Sequence, residues 1–238
     1  MSPNIANDNA VLSENILVTS QIVKHTKKLA QENKLYAGIK RAMDMIGGIV
    51  GVVCLAPITL VISLANAIAK ENGPIFYTQQ RIGKDGKLFK MYKYRSMIVG
   101  ADDILAKYLA ENEEARQEYR KYKKLKYDPR ITKIGRFIRK VSIDEFPQFI
   151  NILKGEMSLV GPRPYLPREQ KDMGEAYDTI ITCKPGLTGY WQVNGRSDVD
   201  FEERTTMDLA YIQDKNLWFD IKILIKTFTK IFKKEGAL

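Results

Sequence analysis

Histidine and cysteine are almost missing from this sequence. The one histidine, His25, lies in a lysine-rich stretch, and the two cysteines, Cys54 and Cys183, stand more than a hundred residues apart. Ser-His and Cys-His catalysis and histidine metal centres therefore have almost nothing to work with. A disulfide framework and a clustered thiolate site for zinc are excluded for the same reason. Neither a P-loop nor the Gly-rich dinucleotide fingerprint occurs, which removes support from nucleotide hydrolysis of that kind and from Rossmann redox chemistry. No internal repeat or low-complexity tract is visible. Any acid, base or nucleophile must come from carboxylates, lysines and tyrosines. The start of the chain also lacks the short cationic stretch and immediate apolar run of a cleavable signal peptide. Residues 1–38 are polar, and they read as an exposed tail with a helix near 18–31.

What is abundant is positive charge and, in one place, apolar length. Thirty-eight Lys and Arg against 28 Asp and Glu give a formal net charge of +10. Such an excess suits nucleic acid, an anionic membrane face or phosphorylated substrates. Most of the excess lysine lies near the apolar segment and the C-terminus, so a lipid face explains it more simply than nucleic acid does. At 238 residues the chain fits one domain with a membrane appendage, because an ordinary core is filled by about 100–200 residues.

From 46 to 68 the sequence is nearly all apolar or small, interrupted by Thr59, Ser63 and Asn66. That length crosses roughly 30 Å of hydrocarbon as a helix. Pro57 sits near its middle, where the missing N–H and the ring clash kink or break a helix. Lys40 and Arg41 precede the run and Lys70 follows it. The positive-inside rule draws both ends to one side, which favours a helix-break-helix hairpin that dips in and returns. A kinked single span is the alternative.

Beyond this segment, 76–81 and 88–94 flank Gly83-Lys84-Asp85-Gly86, an Asp-Gly turn between two alternating runs, which predicts a β-hairpin. Residues 101–126 carry apolar positions at helical spacing among dense charge, predicting one or two amphipathic helices with a solvated face. From 217 to 234, Ile221, Leu224, Ile225, Phe228, Ile231 and Phe232 run beside an i, i+4 row of Lys222, Lys226, Lys230 and Lys234. This is the pattern of a helix lying at an anionic membrane surface, or of an amphipathic helix packed on the domain. The fold expected is mainly α with a small β-hairpin, an α+β domain: residues 1–38 a tail, 39–72 a re-entrant membrane hairpin broken near Pro57, and 73–238 one compact domain.

The densest chemistry is Gly135-Arg136-Phe137-Ile138-Arg139-Lys140-Val141-Ser142-Ile143-Asp144-Glu145-Phe146-Pro147-Gln148. Asp144 and Glu145 cannot both ionise cheaply side by side unless a cation, a metal or helix N-terminal amides offset the repulsion. Arg136, Arg139 and Lys140 are placed to supply that cation. Locally the same residues also read as a capping box, Ser142 with Glu145, opening a helix over 143–153. Pro147 at the fifth position of that helix argues for a later start, which leaves the carboxylates at its mouth. Two loops punctuated by Gly and Pro follow, 155–164 and 184–196, and each ends near an arginine, Arg163 and Arg196. A stiffened backbone beside an arginine is one way to hold a fork of donors against phosphate. Trp191 reads equally as a base-stacking platform or a core residue.

The run from Arg139 to Gln148, the stretch Lys154-Gly155-Glu156-Met157-Ser158-Leu159-Val160-Gly161-Pro162-Arg163-Pro164, Pro185-Gly186-Leu187-Thr188-Gly189 and Gln192-Val193-Asn194-Gly195-Arg196 together resemble the bacterial sugar transferases. These are the polyprenyl-phosphate hexose-1-phosphate transferases, or monotopic phosphoglycosyl transferases. The resemblance covers nearly everything from Lys40 onward. It implies a re-entrant membrane helix broken at Pro57, and a catalytic domain on the cytoplasmic face of the bacterial inner membrane. It implies attack by Asp144 on the sugar-bearing phosphate of a UDP-sugar, release of UMP, and transfer of the hexose phosphate to undecaprenyl phosphate. Mg²⁺ would be held by Asp144, and Glu145 would accept a proton or position the incoming phosphate. By motif position Lys93, Arg139, Arg163 and Arg196 would contact phosphate and nucleotide, with Arg95 a weaker candidate. The chain as given shows none of the extra membrane helices of longer relatives yet keeps the 101–130 insertion. That combination resembles the short exopolysaccharide-initiating enzymes, which move glucose or galactose phosphate. A homo-oligomer is compatible with such an enzyme, and no interface is legible. The rival readings are a glycosyltransferase that moves the sugar without its phosphate, and a non-catalytic membrane scaffold.

Overall fold

The computed structural model describes residues 34–233 except 72, 123, 124 and 196–198. The helix expected over 18–31 and the site candidate Arg196 lie outside the described residues.

The apolar segment forms one helix, α1 (Lys34–Ile68), with Pro57 inside it. At 1.5 Å per residue it is about 50 Å long. The break expected near Pro57 does not appear in the backbone, because helical conformation runs through it. Side chains support the neighbouring turn: Thr59 Oγ1 donates to the Leu55 carbonyl at 2.7 Å, and the Tyr94 and Thr59 hydroxyls lie 2.6 Å apart. Residues before and after Pro57 also pack on the same domain. The buried positions are Asp44, Gly48, Gly51, Leu55, Ile62 and Asn66, a single stripe. The other faces expose Ile46, Ile49, Val50, Val53, Leu60, Val61 and Leu64. α1 is long and apolar enough to cross a membrane, and only 22% of its most apolar stretch is buried. A core helix of a water-soluble domain hides most of such a surface, so this exposed apolar face is that of a membrane-associated helix.

The hairpin forms as expected. β1 (Phe76–Ile82) and β2 (Leu88–Tyr94) pair antiparallel from Phe76 opposite Tyr94 to Ile82 opposite Leu88. The turn between them places Asp85 at φ +58° and Gly86 at φ +74°, and the Asp-Gly pair tolerates both. β2 turns Met91 and Tyr94 into the interior, each 1% exposed.

The insertion folds as two helices, α2 (Ala101–Glu111) and α3 (Glu113–Tyr122), closed around Leu105, Ala115 and Leu125 with Tyr108, Leu109 and Tyr119. Next comes α4 (Lys133–Lys140), whose N-cap Thr132 accepts the Gly135 amide. Gly135 is a true close approach: an added Cβ would lie 1.9 Å from the Ser96 carbonyl. A 3₁₀ turn over Ile143–Glu145 leads into α5 (Gln148–Lys154), which packs along α1. Gly48 and Gly51 allow that contact, since a Cβ at Gly51 would stand 2.1 Å from the Phe149 ring and one at Gly48 2.6 Å from Leu153.

The C-terminal half surrounds a second small sheet, in which β3 (Ser158–Val160) lies parallel to β4 (Gly186–Thr188). Short helices α6 (Gln170–Met173), α7 (Tyr177–Ile180) and α8 (Tyr190–Asn194) pack with α9 (Phe201–Asp214) and α10 (Leu217–Lys233) around Val160, Tyr165, Leu209, Tyr211 and Ile223. Asp200 and Glu203 close a reciprocal capping box on α9. α10 takes up both readings of its sequence in part. It buries Asp220 and Ile223 on the domain yet exposes Trp218, Ile225 and Phe228. Among the described residues helices dominate, with two two-stranded sheets, in agreement with the mainly α, α+β expectation; the parallel pair was not anticipated.

Candidate active site

The Asp-Glu pair sits on the 3₁₀ turn Ile143–Glu145. Ser142 stands before it in the left-handed region, at φ +56°, and its side chain makes no cap bond. The capping box read from the sequence therefore does not form. α5 starts after Pro147, whose missing N–H costs nothing at that position, and the carboxylates are left at its mouth. A non-glycine residue held at positive φ stores about 1–3 kcal/mol, and such strain collects at functional sites.

Two crosslinks fix the pair against the hairpin. Asn151 of α5 is fully buried; its amide group donates to the Lys90 carbonyl at 2.8 Å and to Glu156 at 2.7 Å, and its oxygen accepts the Tyr92 amide at 3.0 Å. The β2 backbone is thereby held to α5, and Lys93 follows in register. Lys93 Nζ then meets Glu145 Oε1 at 2.9 Å. From α4, Arg139 Nε donates to Ser96 Oγ at 2.8 Å, and its guanidinium faces Asp144. The exposed Arg136 and Lys140 are not part of the cluster.

Asp144 is 8% exposed. Burial pushes its carboxyl up to about 6; Lys93 and Arg139 pull it down, and Glu145 pushes it up further. The desolvation of a carboxylate outweighs two nearby cations here. Asp144 is thus mostly ionised at neutral pH yet poorly solvated, which makes it more basic than a carboxylate in water.

Arg163 occupies a neighbouring station. Its backbone amide donates to Asp208 at 3.0 Å, its guanidinium reaches Glu169 at 3.3 Å, and it stacks 5.3 Å from the Tyr165 ring centre. Asp208 is fully buried, which raises its carboxyl to about 7, partly offset by the bonds from Arg163 and Tyr165. Arg81, near the end of β1, lies within electrostatic reach of Arg163, Glu169 and Glu145. NH1 donates to the Pro164 carbonyl at 2.9 Å and NH2 to Gln79 at 2.6 Å, while Nε has no hydrogen-bond partner. Burial and the nearby Arg163 lower the Arg81 guanidinium to about 10; Glu169 and Glu145 act the other way. Arg81 is a buried cation with one unused donor, and the sequence reading passed over it. The signal was present, because Arg81 stands next to a Gly-punctuated turn just as Arg163 does.

Other candidates separate. Arg95 donates to the carbonyls of Pro74 at 2.6 Å and Glu71 at 3.1 Å, so it closes the connection after α1. Trp191 lies under the Arg204 guanidinium at 5.5 Å.

The family model described as "Bacterial sugar transferase" matches residues 35–234. The chain belongs to the bacterial sugar transferase family. Among relatives, an undecaprenyl-phosphate galactose phosphotransferase of Salmonella typhimurium is 45% identical over 199 residues, 84% of this chain and 41% of the relative. The exopolysaccharide production protein ExoY of Sinorhizobium fredii is 37% identical over 83% of this chain and 87% of its own length. A UDP-glucose:undecaprenyl-phosphate glucose-1-phosphate transferase of Escherichia coli is 37% identical over 84% of this chain and 41% of its own. The chain spans less than half the length of the Salmonella and Escherichia proteins. In this member of the sugar transferase family, Lys93, Arg139, Asp144 and Glu145 stand together, and Arg163 is held separately by Asp208 and Glu169.

Among the described residues no three His, Cys, Asp or Glu side chains cluster as a metal cage. Magnesium does not require one. It is commonly held by one or two carboxylates plus substrate phosphate oxygens, and the hard oxygens of Asp144 and Glu145 fit that donor set.

Proposed function

We propose that this chain transfers a hexose-1-phosphate, glucose or galactose, from a UDP-sugar to undecaprenyl phosphate in two steps, initiating an exopolysaccharide or capsule. The observation that carries the reading is the buried Asp144 carboxylate, held beside the Lys93–Glu145 ion pair and faced by Arg139. The names of the Salmonella, Sinorhizobium and Escherichia relatives support the donor, the lipid acceptor and the product class.

In the first step an oxygen of ionised Asp144 attacks the sugar-bearing phosphorus. The bond to the bridging oxygen breaks and UMP departs with that oxygen, leaving an aspartyl sugar phosphate. In the second step an oxygen of undecaprenyl phosphate attacks the same phosphorus and Asp144 leaves as a carboxylate. Transfer between anions demands charge neutralisation and positioning more than a strong base. Arg139 and Lys93 flank the nucleophile, and Arg81 with Arg163 supplies donors for the phosphate next to it. Arg196 is a further phosphate contact by motif position. Glu145, half-exposed and paired to Lys93, orients that ammonium and takes up a proton from the incoming phosphate. Asp144, with Glu145 near, would hold Mg²⁺, which would supply neutralisation of phosphate charge.

Packing supports a one-sided membrane arrangement. The domain contacts α1 from Asp44 to Asn66 along one stripe, so a perpendicular crossing would drag a polar domain into hydrocarbon at high cost. This supports reading α1 as embedded from one side, which we assign to the cytoplasmic face of the inner membrane, with both ends on that face. The exposed Trp218, Ile225 and Phe228 of α10 add a second lipid contact.

Product analysis tests the reaction: purified chain, Mg²⁺, undecaprenyl phosphate and a panel of UDP-sugars should release UMP. Release of UDP would instead establish transfer of the bare sugar, and no turnover with any donor would revive the scaffold reading.

A further inference from the structure

Among the described residues β2 belongs to a two-stranded sheet, so one of its edges has no strand beside it. Backbone groups at such an edge need other partners when they are buried. Here the Lys90 carbonyl and the Tyr92 amide both bond to a single side chain, Asn151 of α5. A neighbouring strand would supply one donor and one acceptor in the same way. The Asn151 amide group thus stands in for a strand residue, and it does so fully buried, at 0% exposure.

The direction in which that amide points is fixed by its neighbours. Its nitrogen faces two acceptors, the Lys90 carbonyl at 2.8 Å and Glu156 Oε2 at 2.7 Å. A carbonyl and an ionised carboxylate only accept, so the NH₂ group must face them and the oxygen is left for the Tyr92 N–H at 3.0 Å. Glu156 is anchored in turn. Its backbone amide and that of Met157 donate to the Asn151 carbonyl at 3.0 and 3.3 Å, around Gly155 at φ +80°. Swinging the Asn151 side chain away would leave buried donors and acceptors unpaired, which the fold resists. The apolar contacts lie at the same level: Met91 of β2 packs with Ile152 and Met157. Lys93 shares the Met91 face of the strand, two residues on, and its Nζ meets Glu145 Oε1 at 2.9 Å on the turn that leads into α5.

We infer that Asn151, oriented by Glu156, is a positioning residue that sets where the Lys93 ammonium stands against the Asp144–Glu145 turn. It touches neither substrate nor nucleophile and acts through the register of β2, since a strand that slips by one residue turns Lys93 to the opposite face. The kinetic part of its test rests on the transfer reaction proposed above; the labelling part does not.

The test uses the full chain purified in detergent. Lysines are acetylated with acetic anhydride at one fixed pH, and the rate at Lys93 relative to the exposed Lys107 is read by peptide mass spectrometry. Asn151→Asp keeps the size of the side chain but removes both of its donors, and should raise relative labelling of Lys93 at least threefold. Adding Glu156→Gln returns an amide donor to that contact and should recover at least half of the change. Ile223→Val, a core change far from the hairpin in sequence, should leave Lys93 labelling as in wild type. In the UMP-release assay Asn151→Asp should lower kcat/KM at least tenfold. Combined with Lys93→Met, it should cost no more than twofold beyond Lys93→Met alone, because both act through one ammonium; a merely structural role would multiply the two losses. A wild type that releases no UMP would sink the transfer reading and leave the labelling arm to decide this one. If Asn151→Asp does not fold, Glu156→Ala, which removes the acceptor that orients the amide, should raise Lys93 labelling at least twofold. Unchanged Lys93 labelling in the folded variants, or multiplied kinetic losses, overturns the inference.

Discussion

Asp144 is a carboxylate whose surroundings oppose its charge. Burial raises it to about 6, despite the cations Lys93 and Arg139. Two outcomes follow at this residue. Because the attacking form is ionised, the transfer rate should fall as pH drops through about 6. Replacing Lys93 by Met removes a group that lowers the Asp144 carboxyl, so the acid limb of the pH–rate profile should move to higher pH; an unmoved limb would separate Lys93 from the nucleophile. Asp144→Asn should cut turnover at least about a thousandfold, as loss of a nucleophile does. It should not cost stability at neutral pH. A carboxyl raised in the fold binds its proton more tightly there than in the unfolded chain, so its ionisation destabilises the fold progressively from about pH 4 to about 6 and by a constant amount above. Thermal unfolding at pH 7 should show the Asn variant at least as stable as wild type. The sequence made Asp144, Glu145, Lys93, Arg139 and Arg163 legible through their motifs. It did not reveal Arg81, Asn151 or Asp208, whose roles arise from burial and crosslinks between elements distant in the chain.

Elements place these residues by close contact. α5 carries the mouth of the site and lies on α1 across Gly48 and Gly51, so the membrane helix and the catalytic turn share one interface. Gly51→Val should clash with Phe149 and destabilise the chain by about 1–3 kcal/mol, measured by thermal unfolding in detergent. Phe149→Ala in the same chain should recover part of that loss, and no recovery would place the clash elsewhere. Periodicity predicted the hairpin and the amphipathic helices because those patterns are local. Pro57 lies within helical backbone, and the support it finds in the Thr59–Tyr94 contact and in the packing on both sides of it is tertiary and so not legible in the local sequence. The capping box failed for a related reason: Ser142 is held at positive φ by what surrounds it, and no composition rule reports that. The short parallel pair β3–β4 has only three residues per strand, too few to leave a periodic signature.

For the whole molecule the apolar length of α1 and the exposed aromatics of α10 support the proposed seating of the domain on one membrane face. Single cysteines placed before residue 38 and after residue 75, in a Cys54→Ser, Cys183→Ser background, should label with the same cytoplasmic accessibility. Opposite accessibility would establish a full crossing.

The central claim is that Asp144 carries the hexose phosphate between donor and acceptor. Purified chain incubated with UDP-galactose or UDP-glucose and Mg²⁺, without lipid acceptor, is to be analysed by intact-protein and peptide mass spectrometry. The account predicts one added hexose phosphate on Asp144, stoichiometric release of UMP, and neither with Asp144→Asn. An Asp144→Asn chain that still releases UMP and forms the lipid product would contradict it.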